Sequence, residues 1–228
     1  MDSKNKLVKD IDAISSRITQ NIINFSFIIK KEGNPEVKSM LEMSFIIHTY
    51  GYLEGFIKKI SKDYLAFVFE YCKNKPDVMS IPLYYLHKFK DFNCKNTNKY
   101  FKEILKGLDI LNIDDSKEYN IKANNNLKYN VLIIILHLLQ FDLKNYEAFK
   151  YSFEREDNSR ETKELDLKDC LDAFVNDRNQ IAHGGKGYLE ETFQLSYKWE
   201  EYKTMVLYIL KQFTDEVKVS VINESFLR

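Results

Sequence analysis

The stretch LKDCLDAFVNDRNQIAHGGKG, residues 167–187, governs the reading of the whole chain. Leu167, Cys170, Leu171, Phe174, Val175 and Ile181 recur at three- and four-residue steps, which gathers them on one face of a helix. Gly184, Gly185 and Gly187 follow as a stop signal. The spacing therefore predicts a helix that ends near His183 and carries Arg178 in its last turns. On an ideal helix these two positions lie about 140° apart, so a regular helix through both would splay their side chains. The glycine pair lets the final turn unwind, and both groups then converge.

Outward from this stretch the pattern stays helical. Leu7, Ile11, Ile14, Ile18, Ile22, Phe25 and Ile29 form one apolar stripe, ended by Gly33 and Asn34. Asn34 is the N-cap of a second, long helix reaching about Cys72, with Pro35 at its first position and Glu36 in its first turn. Gly51 and Gly55 sit inside that helix one turn apart. Each costs about 1 kcal/mol relative to Ala there, so close packing against another backbone is expected ahead of the alternative, tolerated exposed glycines, given Tyr50, Leu53 and Phe56 beside them. Pro76 and Pro82 interrupt the next region, where short helices are expected near residues 83–89 and 98–108. Asn124, Asn125 and Asn126 cap a helix through about Gln140, and residues 145–163 read as a weakly ordered, charged connection. A last helix covers about Phe193 to Val219, burying Trp199, Tyr202, Val206, Ile209, Leu210 and Phe213. With few glycines and prolines and little alternation, strands have little support. An all-α single domain over residues 1–228 is expected, with a possible insertion at 73–120.

Composition narrows the class further. At 228 residues and 44% apolar content the chain can bury a core without staples. Cys72, Cys94 and Cys170 form no CxxC pair, which argues against a disulfide framework and a zinc site and favours a cytoplasmic setting. No basic-then-apolar leader opens the chain, and the longest apolar run, Val131 to Leu139, is about half of what a membrane helix needs. No membrane partner is expected. The formal net charge is zero, but residues 1–110 carry 18 Lys/Arg against 13 Asp/Glu, while 111–228 carry 16 against 21. Most of the basic excess lies in Lys58 to Lys106, interleaved with Tyr64, Tyr71, Tyr84, Tyr85, Phe89 and Phe92. A solvated face explains that pattern more often than an RNA-docking surface does.

Metal-independent RNA cleavage needs a base for the ribose 2′-hydroxyl, an acid for the leaving 5′-oxygen and a cation for the phosphorane. Histidine moves protons at neutral pH, and the arginine fork binds two phosphate oxygens. Against this, Arg178 could pair with Asp177 or an acid of another helix, and His183 could cap its own helix. Among the other histidines, His137 reads as packed core, His87 as surface, and His48 lies on the long helix. None pairs at metal spacing. HExxH, GxSxG and dinucleotide glycine signatures are absent, so no metal and no cofactor is expected.

The string Asp177-Arg178-Asn179-Gln180-Ile181-Ala182-His183-Gly184 resembles the Arg-Asn-x-x-x-His-Gly signature of the HEPN superfamily. Within it the chain is similar to the RiboL-PSP and MAE-type branch of prokaryotic defence and toxin systems. His48 to Ile57, HTYGYLEGFI, resembles the long-helix segment of that branch. The likeness spans roughly residues 5–215, and 73–120 matches nothing specific.

The resemblance implies a HEPN-like helical bundle and a metal-independent endoribonuclease leaving a 2′,3′-cyclic phosphate, acting as toxin or effector. It carries Arg178 over as phosphate clamp and His183 as general acid or base. Asn179 is the next candidate, to hold the imidazole or a phosphate oxygen, although such an Asn is as often a local backbone partner. Glu54 could orient His183 or balance Arg178, with an ordinary interhelical salt bridge at least as probable on chemical grounds. Lys186 could reach phosphate, though its run lacks the GxxxxGK[ST] pattern and reads mainly as a turn. The partners implied are an RNA substrate, a second copy of the chain in a homodimer, and an antitoxin or regulatory protein. The rival is a non-catalytic HEPN-like module that binds a partner protein or nucleotide.

Overall fold

The computed structural model of the chain describes residues 3–74, 78–79, 111–113, 119–121, 126–154, 159–183 and 194–227. Five α-helices run through them: α1 Ser3–Lys31, α2 Pro35–Tyr71, α3 Tyr129–Leu139, α4 Leu167–Ala182 and α5 Trp199–Asn223. Strands β1 Leu111–Ile113 and β2 Tyr119–Ile121 pair antiparallel, as do β3 Ala148–Glu154 and β4 Arg160–Asp166. The mostly helical class read from the sequence holds. The short helices expected near 83–89 and 98–108, and most of the possible insertion at 73–120, lie outside the described residues.

By packing, the chain divides into two compact units. One comprises residues 1–13, 56–143 and 213–228, the other residues 14–55 and 144–212. In the first, the later part of α2 and the end of α5 pack through rings. Phe56 and Phe141 both meet Phe213 edge-on, and Tyr64 lies against Phe141. The buried Tyr64 hydroxyl shares a 2.7 Å hydrogen bond with Ser220 Oγ, and burial pushes its pKa up to about 12. Helix α3 ends in a Schellman turn. Gln140 adopts the left-handed conformation (φ 62°), its N–H donates to His137 O, and the Phe141 N–H donates to Leu136 O. Phe141, the residue after the turn, is buried against Tyr64 and Phe213. Lys128, not one of the asparagines, is the N-cap of α3 and makes no side-chain capping bond. His137 is exposed, contrary to the packed position expected for it. The chain end is tied back through Glu224, which pairs with Lys4 and accepts from Tyr71 Oη at 2.7 Å.

The second unit begins with the capping expected from the sequence. Asn34 Oδ1 accepts from the backbone of Glu36 at 2.9 Å and of Val37 at 3.3 Å, satisfying two otherwise orphaned donors of α2. Phe45 and Trp199 meet edge-on, and Phe174 packs between Tyr50 and Tyr202. Two expectations are overturned here. Residues 148–166 are not a loose connection but a hairpin in regular register, from Ala148 opposite Asp166 to Glu154 opposite Arg160. It is stable because Phe149 and Tyr151 bury one face of β3 while Ser152 and Thr162 hydrogen-bond at 2.8 Å on the exposed face. Gly51 and Gly55 do not pack against another backbone among the described residues. Both are exposed, and an added Cβ would meet nothing within 4 Å.

Candidate functional site

Strand β4 delivers the motif helix directly, because α4 begins at the residue after the strand ends. Asp166 caps it, accepting from the Asp169 N–H at 2.9 Å, and the Leu167 N–H donates to Glu147 O at the base of the hairpin. Its buried stripe is Leu167, Cys170, Leu171, Phe174, Val175, Asp177 and Ile181. A carboxylate is the exception among apolar groups, and Asp177 is only 2% exposed. Burying an ionised carboxyl is costly unless its lone pairs are filled. Here the Ser196 N–H (2.8 Å) and Tyr202 Oη (2.6 Å) donate to one oxygen and Ser196 Oγ (2.7 Å) to the other. Burial, and then the bond to Asp177, raise the pKa of Tyr202 above the usual tyrosine range. Asp177 therefore joins α4 to α5 and to the segment that precedes α5.

One residue on, Arg178 turns away from this buried cluster. It is half-buried, its guanidinium carbon stands 4.7 Å from the centroid of the Tyr50 ring, and Nη1 donates to Asn179 Oδ1 at 2.8 Å. A cation over an aromatic face is attracted by the ring quadrupole, which helps to orient the guanidinium. Tyr50 is itself fixed by Phe174, three residues after Leu171 on the stripe of α4. The structure thus brings Arg178, Asn179 and Tyr50 together. Asn179 reaches the arginine rather than an imidazole.

His183 is the C-cap of α4, with φ −94° and ψ 7°, and its backbone N–H donates to Asn179 O at 3.0 Å. That bond is the helical i→i−4 one, so the turn between Arg178 and His183 is still wound, and the unwinding expected from the glycine pair does not fall between the two residues. The His183 side chain is exposed and has no hydrogen-bond partner among the described residues. Glu54 lies on α2 one turn beyond Tyr50 and is half-buried. Lys186 and the three glycines after His183 lie outside the described residues.

Tyr50, Asp177, Ser196 and Tyr202 were not singled out as site residues from the sequence. Asp177 had a signal, because it takes the place of an apolar residue between Phe174 and Ile181 on the stripe. In the described part of the basic, aromatic stretch, Tyr71 is exposed. Tyr64 is buried, and Lys59 and Lys73 pair with Asp63 and Glu70 along the helix. Tyr84, Tyr85, Phe89 and Phe92 lie outside the described residues. Among the described residues no three His, Cys, Asp or Glu side chains cluster as a metal site would need, and no helix is long and apolar enough to cross a membrane.

A family model described as RiboL-PSP-HEPN matches residues 8–221. No curated protein and no solved structure matches the chain.

Proposed function

As the chain belongs to the RiboL-PSP-HEPN family, which points to a ribonuclease-type or RNA-related module, we propose that it is a metal-independent endoribonuclease. It cleaves RNA to a 2′,3′-cyclic phosphate and serves as toxin or effector of a prokaryotic defence or toxin–antitoxin system. The observation that carries this reading is the presence of a cation and an exposed imidazole in the last turns of one helix: Arg178 over Tyr50, His183 one residue past α4.

In this mechanism Arg178 binds the non-bridging oxygens of the scissile phosphate in its planar fork. An imidazole takes the 2′-hydroxyl proton, the 2′-oxygen attacks phosphorus, and the 5′-oxygen departs with a proton from a second acid. Asn179 positions Arg178 through Oδ1. Glu54, next to the Tyr50 turn, balances the local charge, and Lys186 adds a phosphate contact.

One imidazole cannot be base and acid in the same step, so the active form is a homodimer with two motifs around one RNA. Two observations support a second copy at this unit. Ile23 and Phe27 on α1, and Met40 and Ile47 on α2, are exposed large apolar side chains. Gly51 and Gly55 continue the row of Ile47 at four-residue steps, with open space above each. An antitoxin or regulatory protein is the further partner of such an enzyme. Bulk RNA incubated with purified wild-type and His183→Ala protein tests the activity. Wild-type fragments ending in cyclic phosphate, and none from the variant, are expected; equal cleavage by both would remove the reading.

A further inference from the structure

One face of β3 carries Phe149, Tyr151 and Phe153 at alternate positions, and burial falls along it. Phe149 and Tyr151 are buried, while Phe153 is half-exposed. The Tyr151 and Phe153 rings are stacked, 5.7 Å apart at 17°. Lys163, opposite Tyr151 in register, holds its ammonium 5.6 Å and 6.0 Å from the two ring centroids and pairs with the buried Glu201. This face, Lys30 and the first turns of α5 line a groove of about 450 Å³.

The charge in the groove is not balanced. Arg160 stands opposite Glu154 in the strand register, which leaves Lys30, Lys198 and Lys203 against Glu200. Lys203 is half-buried beside the Trp199 ring. Burial first, and then the charge of Lys30, lower its pKa despite the opposing pull of Glu200. Two like charges held this close are relieved by an anion between them. A half-exposed stacked ring beside such a pair matches the alternation of base and phosphate in a single strand, whose bases are open to stacking as those of a duplex are not.

We infer that this groove binds single-stranded RNA, with phosphates on Lys30, Lys198 and Lys203 and one base on Phe153. The choice of RNA rests on the ribonuclease reading, and the site is separate from the residues given roles in cleavage. The test is fluorescence anisotropy with a 2′-O-methyl oligouridine, which the enzyme cannot cut by 2′-oxygen attack, titrated into the full-length protein across a salt series. Lys30→Ala with Lys198→Ala should lower the slope of log affinity against log salt by about 1.4, from two lost phosphate contacts. Phe153→Ser should weaken binding by about tenfold with the slope unchanged. Phe153→Leu, which keeps apolar volume at the hairpin, should show a similar loss and guards against a folding defect.

Undiminished binding by these variants, or equal affinity for an RNA duplex, overturns the inference even if the protein cleaves RNA. Groove-dependent binding by a protein that never cleaves RNA supports the inference and removes the ribonuclease reading instead.

Discussion

Tyr202 on α5 donates its phenolic hydroxyl to Asp177 on α4 at 2.6 Å, one residue before the arginine of the motif. The carboxylate that receives it is buried and fully engaged, so the motif is located by a neighbour that takes no part in the proposed chemistry. Tyr202→Phe removes one bond to a charged acceptor and should cost about 2 kcal/mol. Asp177→Ala strands three donors and should cost about 3 kcal/mol or more. Urea denaturation of each variant checks this order, and an Asp177→Ala protein as stable as wild type would contradict the role given to the carboxylate.

His183→Ala should lower kcat/KM for RNA by about 10²- to 10⁴-fold, the range for loss of a general acid or base. Its melting temperature should stay within a degree or so, because the side chain is exposed. Arg178→Ala should lose activity to a similar extent but also cost about 1 kcal/mol, since its contact with Tyr50 is half-buried. Single-turnover cleavage and thermal melts separate these effects. Activity retained by either variant would sink the site assignment.

Cleavage should persist in a chelator and stop when the scissile 2′-hydroxyl is replaced by hydrogen, since the nucleophile is then gone. Inhibition by EDTA reversed by magnesium or manganese would point to metal catalysis in its place.

Gly51→Ala and Gly55→Ala should each stabilise the isolated chain by up to about 1 kcal/mol, because an added Cβ meets nothing within 4 Å. If the second copy docks over this row, Gly55→Trp should yield a monomer by light scattering and lose RNA cleavage. A mixed dimer of one Arg178→Ala and one His183→Ala chain should regain part of the activity that each mutant homodimer lacks. Full activity from a monomer would refute the shared site.

Stability should fall at high pH beginning near pH 10. Tyr64 and Tyr202 both have raised folded pKa values, so the folded chain holds protons that the unfolded chain has released. Their contribution is complete below about pH 10, the ordinary tyrosine value, and for Tyr64 it is lost as pH rises through about 12. Melting temperatures measured from pH 8 to 12 should show this decline, flattened in Tyr64→Phe and Tyr202→Phe. A decline unchanged in the double variant would assign it to other groups.

The long helices were legible because their apolar residues recur at the helical period, and the cap at Asn34 because its chemistry is local. The hairpin was not. Its first strand alternates Phe149, Tyr151 and Phe153, but the second, RETKELD, is polar and mostly exposed, so half of the strand signal is missing. The motif's place at a helix end was legible from its glycines. Its partners were not, since nothing along the chain tells which tyrosine of α2 will meet Arg178 or that Asp177 will face Tyr202. The same blindness misassigned Gly51 and Gly55, because a helical glycine reads alike whether it meets a neighbour or open space.

The chain leaves α4 at His183 and is fastened again at Ser196, whose backbone and hydroxyl are both bonded to Asp177. One carboxylate thus ties two separate stretches of sequence to a single turn of α4. Ser196 and Tyr202 therefore cannot vary independently of the residue beside the arginine, and a substitution at either, far from the motif along the chain, is felt at the motif's own backbone.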